Sequence, residues 1–240
     1  VSADAYLDVR EVTKRFGGFL ALNGVSLQIR QGERFGLIGP NGSGKTTLIN
    51  CISGTLRTDG GRIVFDGADI TAFPAYRRTR LGIARSFQIP KPFTSMTVLE
   101  NLMIPIEYAR LGHHDGVVDE AMGILAQVGL AAKARVLSRA LTQVEMRKLE
   151  LARAMAARPK LLVSDEAMAG LSSSEVDDIL AILLQLNGQG ITVVMIEHIM
   201  RAVMRFSERI AVLDAGEKIA EGTPDQILGN KTVERAYLGE

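Results

Sequence analysis

GPNGSGKT, residues 39 to 46, stands between the apolar run RFGLI at 34 to 38 and TLINCIS at 47 to 53, whose apolar positions recur at helical spacing. The stretch fits G-x-x-x-x-G-K-[ST] in the setting that motif needs, a strand before it and a helix after it. Gly39, Gly42 and Gly44, with Asn41 and Ser43 between them, let backbone amides turn inward around phosphate oxygens, and the helix N-terminus adds a favourable partial charge. Lys45 is placed to reach the β and γ phosphates and Thr46 to hold Mg²⁺, with Thr47 next in the helix. A glycine-rich turn with a chance lysine is the bland alternative; the agreement of spacing and both flanks disfavours it. ATP and Mg²⁺ are the ligands this reading calls for.

A second half of such a site lies at KLLVSDE, residues 160 to 166. Neighbouring residues on a strand point to opposite sides, so Asp165 and Glu166, at the carboxyl end where α/β sheets bind ligands, cannot do the same job. Asp165 suits the Mg²⁺ shell; Glu166 suits orienting or deprotonating an attacking water. Gln88 ends the strand-like IARSFQ at 83 to 88, and His198 follows TVVMIE at 192 to 197, both at strand ends running into the same crevice. Singly, each has an ordinary account, a loop amide and a helix-capping histidine. Phe16, just before a Gly-Gly turn, is either a platform for a base or core.

The rest of the chain reads as α/β. Alternation in LDVREVTKRF and LALNGVSLQI predicts N-terminal antiparallel strands. RIVFDG at 62 to 67 is a further strand, and PAYRRTRLG at 74 to 82 a short helix beginning at Pro74. From about 97 to 157 only helical patterns occur: TVLENLMIPIEYARL, interrupted at Pro105, then VVDEAMGILAQVGL and TQVEMRKLELARAMAA. Strand and helix then alternate from LLVSDE through SSEVDDILAILLQLNG and TVVMIEH to RIAVLDA and KIAEG, which predicts parallel neighbours with right-handed crossovers. The expected architecture is a P-loop NTPase core of parallel sheet with N-terminal antiparallel strands and an inserted all-helical subdomain. Its expected division is 1–89 and 158–240 for the ATP-binding core and 90–157 for the helical part.

Composition bounds what such a chain can do. Its 240 residues are 47% hydrophobic with a net charge of +1, the balance of an ordinary globular protein with no basic field for sequence-independent nucleic-acid binding. RRTR at 77 to 80 reads as a solvated helix face. Cys51 is the sole cysteine, so no intramolecular disulfide forms, and its apolar setting predicts a buried, inert thiol. The longest apolar runs, such as ITVVMI at 191 to 196, are too short to cross a bilayer, and the first residues lack the apolar run of a signal peptide. Any membrane role is expected to come through a partner.

Taken in order, Phe16, GPNGSGKTT, SFQIPKPF, the helical insertion, LLVSDE and IEH resemble the ATP-binding subunit of an ABC transporter, nearly end to end. ARSFQIPKPFTSMTVLENLM, GITVVMIEHIMRAVM and AEGTPDQILGNKTVERAYLG are similar to its branched-chain amino acid importer branch, with the ATPase of lipopolysaccharide export as a relative sharing much of this wording. The resemblance implies an ATP hydrolase with Lys45, Gln88, Glu166 and His198 at the chemistry, Gln88 also beside the metal, and Phe16 against adenine. It further implies a second ATP-binding subunit, identical or different, closing head to tail, with transmembrane permease subunits docked beside Gln88. An extracytoplasmic solute-binding protein would act through the permease, and the chain would sit peripherally on the cytoplasmic face of the membrane. Competing classes are a soluble DNA- or ribosome-directed ATPase, a nucleotide-binding regulator with negligible turnover, and a small-molecule kinase. The kinase does not explain the helical insertion, Gln88 and His198 appearing in this order.

One stretch departs from the family. Where its signature reads Leu-Ser-Gly-Gly-Gln, this chain has Leu141, Thr142, Gln143, Val144 and Glu145. Thr142 and Glu145 have capping-box spacing, Val144 puts a branched side chain where glycine allows close approach, and Glu145 puts a carboxylate where a partner's γ-phosphate belongs. Like charges about 5 Å apart at an effective dielectric of about 20 repel by roughly 3 kcal/mol, more than the roughly 1 kcal/mol of a single hydrogen bond. A weakened signature is therefore expected.

Overall fold

The computed structural model describes residues 5–86, 90–110 and 115–238. Strands β1 (Ala5–Phe16) and β2 (Phe19–Arg30) form the expected antiparallel hairpin. β3 (Arg34–Ile38) leaves for a second sheet and feeds α1 (Lys45–Ser53). β4 (Gly60–Phe65) and the two-residue β5 (Ala68–Asp69) complete a first, antiparallel sheet in the order β2-β1-β4-β5. After α2 (Ala75–Leu81) and β6 (Ile83–Ser86) come α3 (Val98–Arg110), α4 (Val117–Gln127), two single-turn 3-10 helices at Ala131–Lys133 and Ser138–Ala140, and α5 (Gln143–Ala156). The chain then runs β7 (Leu161–Asp165), α6 (Ser173–Gly188), β8 (Thr192–Ile196), α7 (Met200–Phe206), β9 (Arg209–Asp214), β10 (Glu217–Gly222), α8 (Pro224–Leu228) and α9 (Lys231–Leu238).

The second sheet has the order β10-β9-β3-β8-β7-β6, parallel except for β10. Only the turn Ala215–Gly216 separates β9 from β10, far too little chain for a parallel crossover, so this pair is a hairpin. The inner parallel strands are apolar along their length because both faces are covered. Leu161 and Val163 of β7 face a core shared with Leu48, Ile49 and Ile52 of α1 and the first sheet. Leu162 faces the other core, built from α3 to α7.

Pro105 does not interrupt α3, which runs through it. A proline inside a helix costs about 3 kcal/mol, but Val98, Leu102 and Ile106, one turn apart, are all fully or almost fully buried. At about 1.5–3 kcal/mol per buried side chain, that face outweighs the lost hydrogen bond.

Candidate nucleotide site

α1 begins directly from the glycine loop, capped by Gly44 at φ 102° with no side chain over its first amides. A Cβ on Gly44 would lie 2.8 Å from the Ala21 carbonyl oxygen, and one on Gly39 (φ 150°) only 2.0 Å from that of Leu213. Both positions thus exclude every other residue, because the loop packs closely against the backbone of β2 and β9. Its outer edge is pinned as well, since Gly216 N–H donates to Ser43 C=O at 3.1 Å. Lys45 is buried, with Nζ donating to the carbonyls of Gly39 (2.8 Å) and Pro40 (2.9 Å). Desolvation lowers its pKa, opposed by the charges of Glu166 and Asp165.

Phe16, Phe19, Asn41, Gly42, Ser43, Gly44, Lys45, Thr46, Thr47, Glu166 and His198 line one cleft of about 290 Å³. Residues read from four separate parts of the sequence, Phe16, the glycine loop, Glu166 and His198, therefore share a single wall. Phe16 is 47% exposed and Phe19 65%, so neither is core. Phe19 was not singled out from sequence; a second exposed aromatic across the same hairpin turn, paired with Phe16 in register, is the signal that marks it. Gln88 lies outside the described residues.

Asp165 and Glu166 separate as strand alternation requires. Asp165 is buried on the α1 face of the sheet, whereas Glu166 leaves the strand at φ 48° and enters the cleft. There Glu166 Oε1 lies 2.9 Å from Nε2 of the half-exposed His198. Among the described residues no three His, Cys, Asp or Glu side chains are grouped to hold a metal. The donors this reading calls on, the Thr46 hydroxyl in the cleft lining and the buried Asp165 carboxylate at the end of β7, are hard oxygens. That set fits Mg²⁺, which takes one or two protein oxygens and completes its shell with phosphates and water.

Beneath His198 lies a carboxylate the sequence reading did not select. Glu197 is 1% exposed, its Oε1 accepting Met168 N–H at 2.8 Å, so it ties the loop after Glu166 to the His198 segment. Desolvation pushes its pKa up from 4.5 to about 7; the charge of Glu166 adds to this, while the amides of Met168 and His198 and the Arg147 charge oppose it. The folded chain therefore holds this proton more tightly than the unfolded one. Its stabilising effect is complete below the unfolded value and is lost as pH rises through about 7. At about 1.4 kcal/mol per pKa unit, the loss is roughly 3 kcal/mol. Glu197→Gln is expected to remove it: urea unfolding midpoints measured from pH 5 to 8 should fall for the wild type and stay nearly level for the variant. Parallel curves for the two proteins would contradict this role.

The departing signature forms the expected capping box at the start of α5. Thr142 N–H donates to Glu145 Oε2 at 2.9 Å, and Glu145 N–H to Thr142 Oγ1 at 3.4 Å. The electrostatic expectation needs correction, however. Lys133 Nζ lies 2.5 Å from Glu145 Oε1 and is the leading cause holding that carboxyl below its ordinary pKa. With an ammonium in contact, the charge at 145 is compensated locally, and a phosphate nearby would meet an ion pair instead of a bare anion. Val144 packs half-buried against the helical core. Arg147 Nη2 donates to Ala169 C=O at 3.3 Å, linking α5 to the loop after Glu166.

A strand, a glycine loop and a helix bearing Lys45, with two carboxylates ending a nearby parallel strand, define a phosphate-loop nucleotide hydrolase. Comparison with known proteins narrows the class. The ABC transporter family model matches residues 22–169, and the model described as branched-chain amino acid ATP-binding cassette transporter matches residues 217–240. The chain belongs to the ABC transporter family, as an ATP-binding, ATP-hydrolysing cassette. It is 38% identical over 250 residues to the high-affinity branched-chain amino acid transport ATP-binding protein BraF of Pseudomonas aeruginosa, covering 98% of both chains. Against LivG of Escherichia coli the identity is 37% over 249 residues, again 98% of each. Among solved structures, the ADP conformation of MJ1267, an ATP-binding cassette of an ABC transporter, superposes with a TM-score of 0.90 at 35% identity, covering 98% of this chain and 99% of that one. A dimeric post-hydrolysis state of the cassette MJ0796 bound to ADP and Pi superposes with a TM-score of 0.83 at 28% identity, over 91% and 98% of the two chains.

Proposed function

We propose that the chain is the ATP-hydrolysing motor of an importer for branched-chain amino acids or related small solutes, working peripherally on the cytoplasmic face of the membrane. The observation that carries this reading is the likeness to BraF and LivG over 98% of each chain. It favours import over a lipopolysaccharide-type exporter and over a regulator with negligible turnover. In this reading separate permease subunits carry the solute, with a solute-binding protein acting through them; among the described residues no helix is long and apolar enough to cross a membrane. No nucleic acid is involved.

In this reading the loop from Gly39 to Thr47 holds the triphosphate, Phe16 stacks on adenine, and Lys45 neutralises the β and γ oxygens. Mg²⁺, when bound, offsets phosphate charge and is held by Thr46, Asp165 and Gln88. Glu166 draws a proton from the attacking water, and His198, 2.9 Å from it, orients that carboxylate. A second cassette closes over the cleft, and the helical segment 90–157 presents Thr142, Val144 and Glu145 to the partner's ATP. Because Val144 is packed inward and Glu145 occupied by the cap, that second site is the weaker of the two.

The test is reconstitution of the chain with its permease and partner cassette in proteoliposomes. Leucine-loaded binding protein should stimulate ATP turnover and uptake, and Val144→Gly with Glu145→Gln should raise turnover further. Turnover indifferent to the loaded binding protein would reject the importer, and an inert double variant would reject the weakened signature.

A further inference from the structure

Three polar side chains meet on the α1 face of the second sheet, below the cleft. β6 pairs in parallel with β7 in the register Arg85↔Val163 and Ser86↔Ser164. Ile83, Leu161 and Val163 face the core under α1, whereas Ala84 and Leu162 face the other one. Alternation then puts both Arg85 and Asp165 on the α1 side. The Arg85 guanidinium spans the gap: Nη2 donates to Asp165 Oδ2 at 2.5 Å and Nη1 to Asn50 Oδ1, on α1, at 2.6 Å. The Arg85 and Asp165 side chains are 10% and 5% exposed.

Burying such a pair brings little net stability, because desolvation offsets most of the attraction. Its geometry is what distinguishes it. A planar guanidinium fixes the direction of the carboxylate it holds, which a flexible ammonium cannot do. Here the same plane is also anchored to the helix that carries Lys45 and Thr46.

We propose that Arg85 is a positioning residue for Mg²⁺·ATP: it holds Asp165 in one rotamer, with Oδ2 committed, and locks that carboxylate to α1 through Asn50. This rests on reading Asp165 as the carboxylate that serves Mg²⁺. Arg85 belongs to neither the phosphate loop nor the acidic pair. Its contribution is exerted on the metal, not on the nucleotide alone.

The experiment compares the affinity of the purified full chain for a fluorescent ATP analogue in Mg²⁺ and in EDTA. Partners that orient a metal ligand are typically worth about 10–100-fold in metal affinity. Arg85→Met is therefore expected to lower the ratio of Mg²⁺ to EDTA affinities by about tenfold while the EDTA affinity stays within about twofold. Arg85→Lys should recover part of the ratio, because the charge returns without the fork. If Arg85→Met fails to fold, Asn50→Ala carries the test, since it removes the second anchor and should lower the ratio by a smaller factor. An unchanged or raised ratio, or an equal loss in Mg²⁺ and EDTA, overturns the proposal. Asp165→Asn separates the two layers. If it lowers the ratio and the Arg85 variants do not, Arg85 alone has been misassigned; if Asp165→Asn leaves the ratio unchanged, the reading of Asp165 falls with it.

Discussion

Glu166→Gln is expected to cut ATP turnover by about 10²–10⁴-fold, the range of a positioned general base, while ATP stays bound. The amide is the same size as the carboxylate and can keep a hydrogen bond to His198, so the loop and the cleft wall are retained. What it cannot do is accept a proton from water. Glu166 stands in the cleft wall at the edge of the phosphate loop, held by the backbone bond from its N–H to Ile196 C=O at 2.9 Å. Its position is therefore set by the strand below it, not by the nucleotide. Phosphate release measured in a single turnover, with retained nucleotide measured by gel filtration, distinguishes a lost base from a lost binding site. Turnover close to the wild type would remove Glu166 from the chemistry.

Lys45→Ala should abolish productive binding of ATP. Each charge-assisted hydrogen bond to a phosphate oxygen contributes about 1.5–3 kcal/mol, so losing two of them weakens affinity by roughly 10²–10⁴-fold. The ammonium is pre-positioned at low exposure by the carbonyls of Gly39 and Pro40, so little side-chain entropy is lost when phosphate takes over those contacts. The substitution also deprives Asp165 and Glu166 of a nearby cation. Titration calorimetry with Mg²⁺·ATP checks the main effect. Unchanged affinity and turnover would mean that the glycine loop serves something other than phosphate.

The glycine loop, the strand alternation and the capping box at Thr142 were legible because each is a local rule: spacing, period or cap chemistry within a few residues. What local rules miss is settled by tertiary neighbours. Pro105 reads as a break until the apolar face around it is known to be buried. Glu145 reads as a bare anion until Lys133, twelve residues upstream, is folded against it. Arg85 and Glu197 carry no motif at all and acquire meaning only once Asn50, Asp165 and Met168 are beside them. Local chemistry also marks the start of α8, where Thr223-Pro224 with Gln226 forms a further legible capping box.

The contact between Lys133 and Glu145 carries a consequence for how this signature can change over generations. If the start of α5 faces a partner's phosphate, as proposed, a carboxylate at 145 is tolerable there only while a cation such as Lys133 accompanies it. Positions 133 and 145 should drift as a unit among descendants of this chain. A lineage that restores glutamine at 145 is released from lysine at 133, and one that loses the lysine first passes through a form in which the anion stands alone.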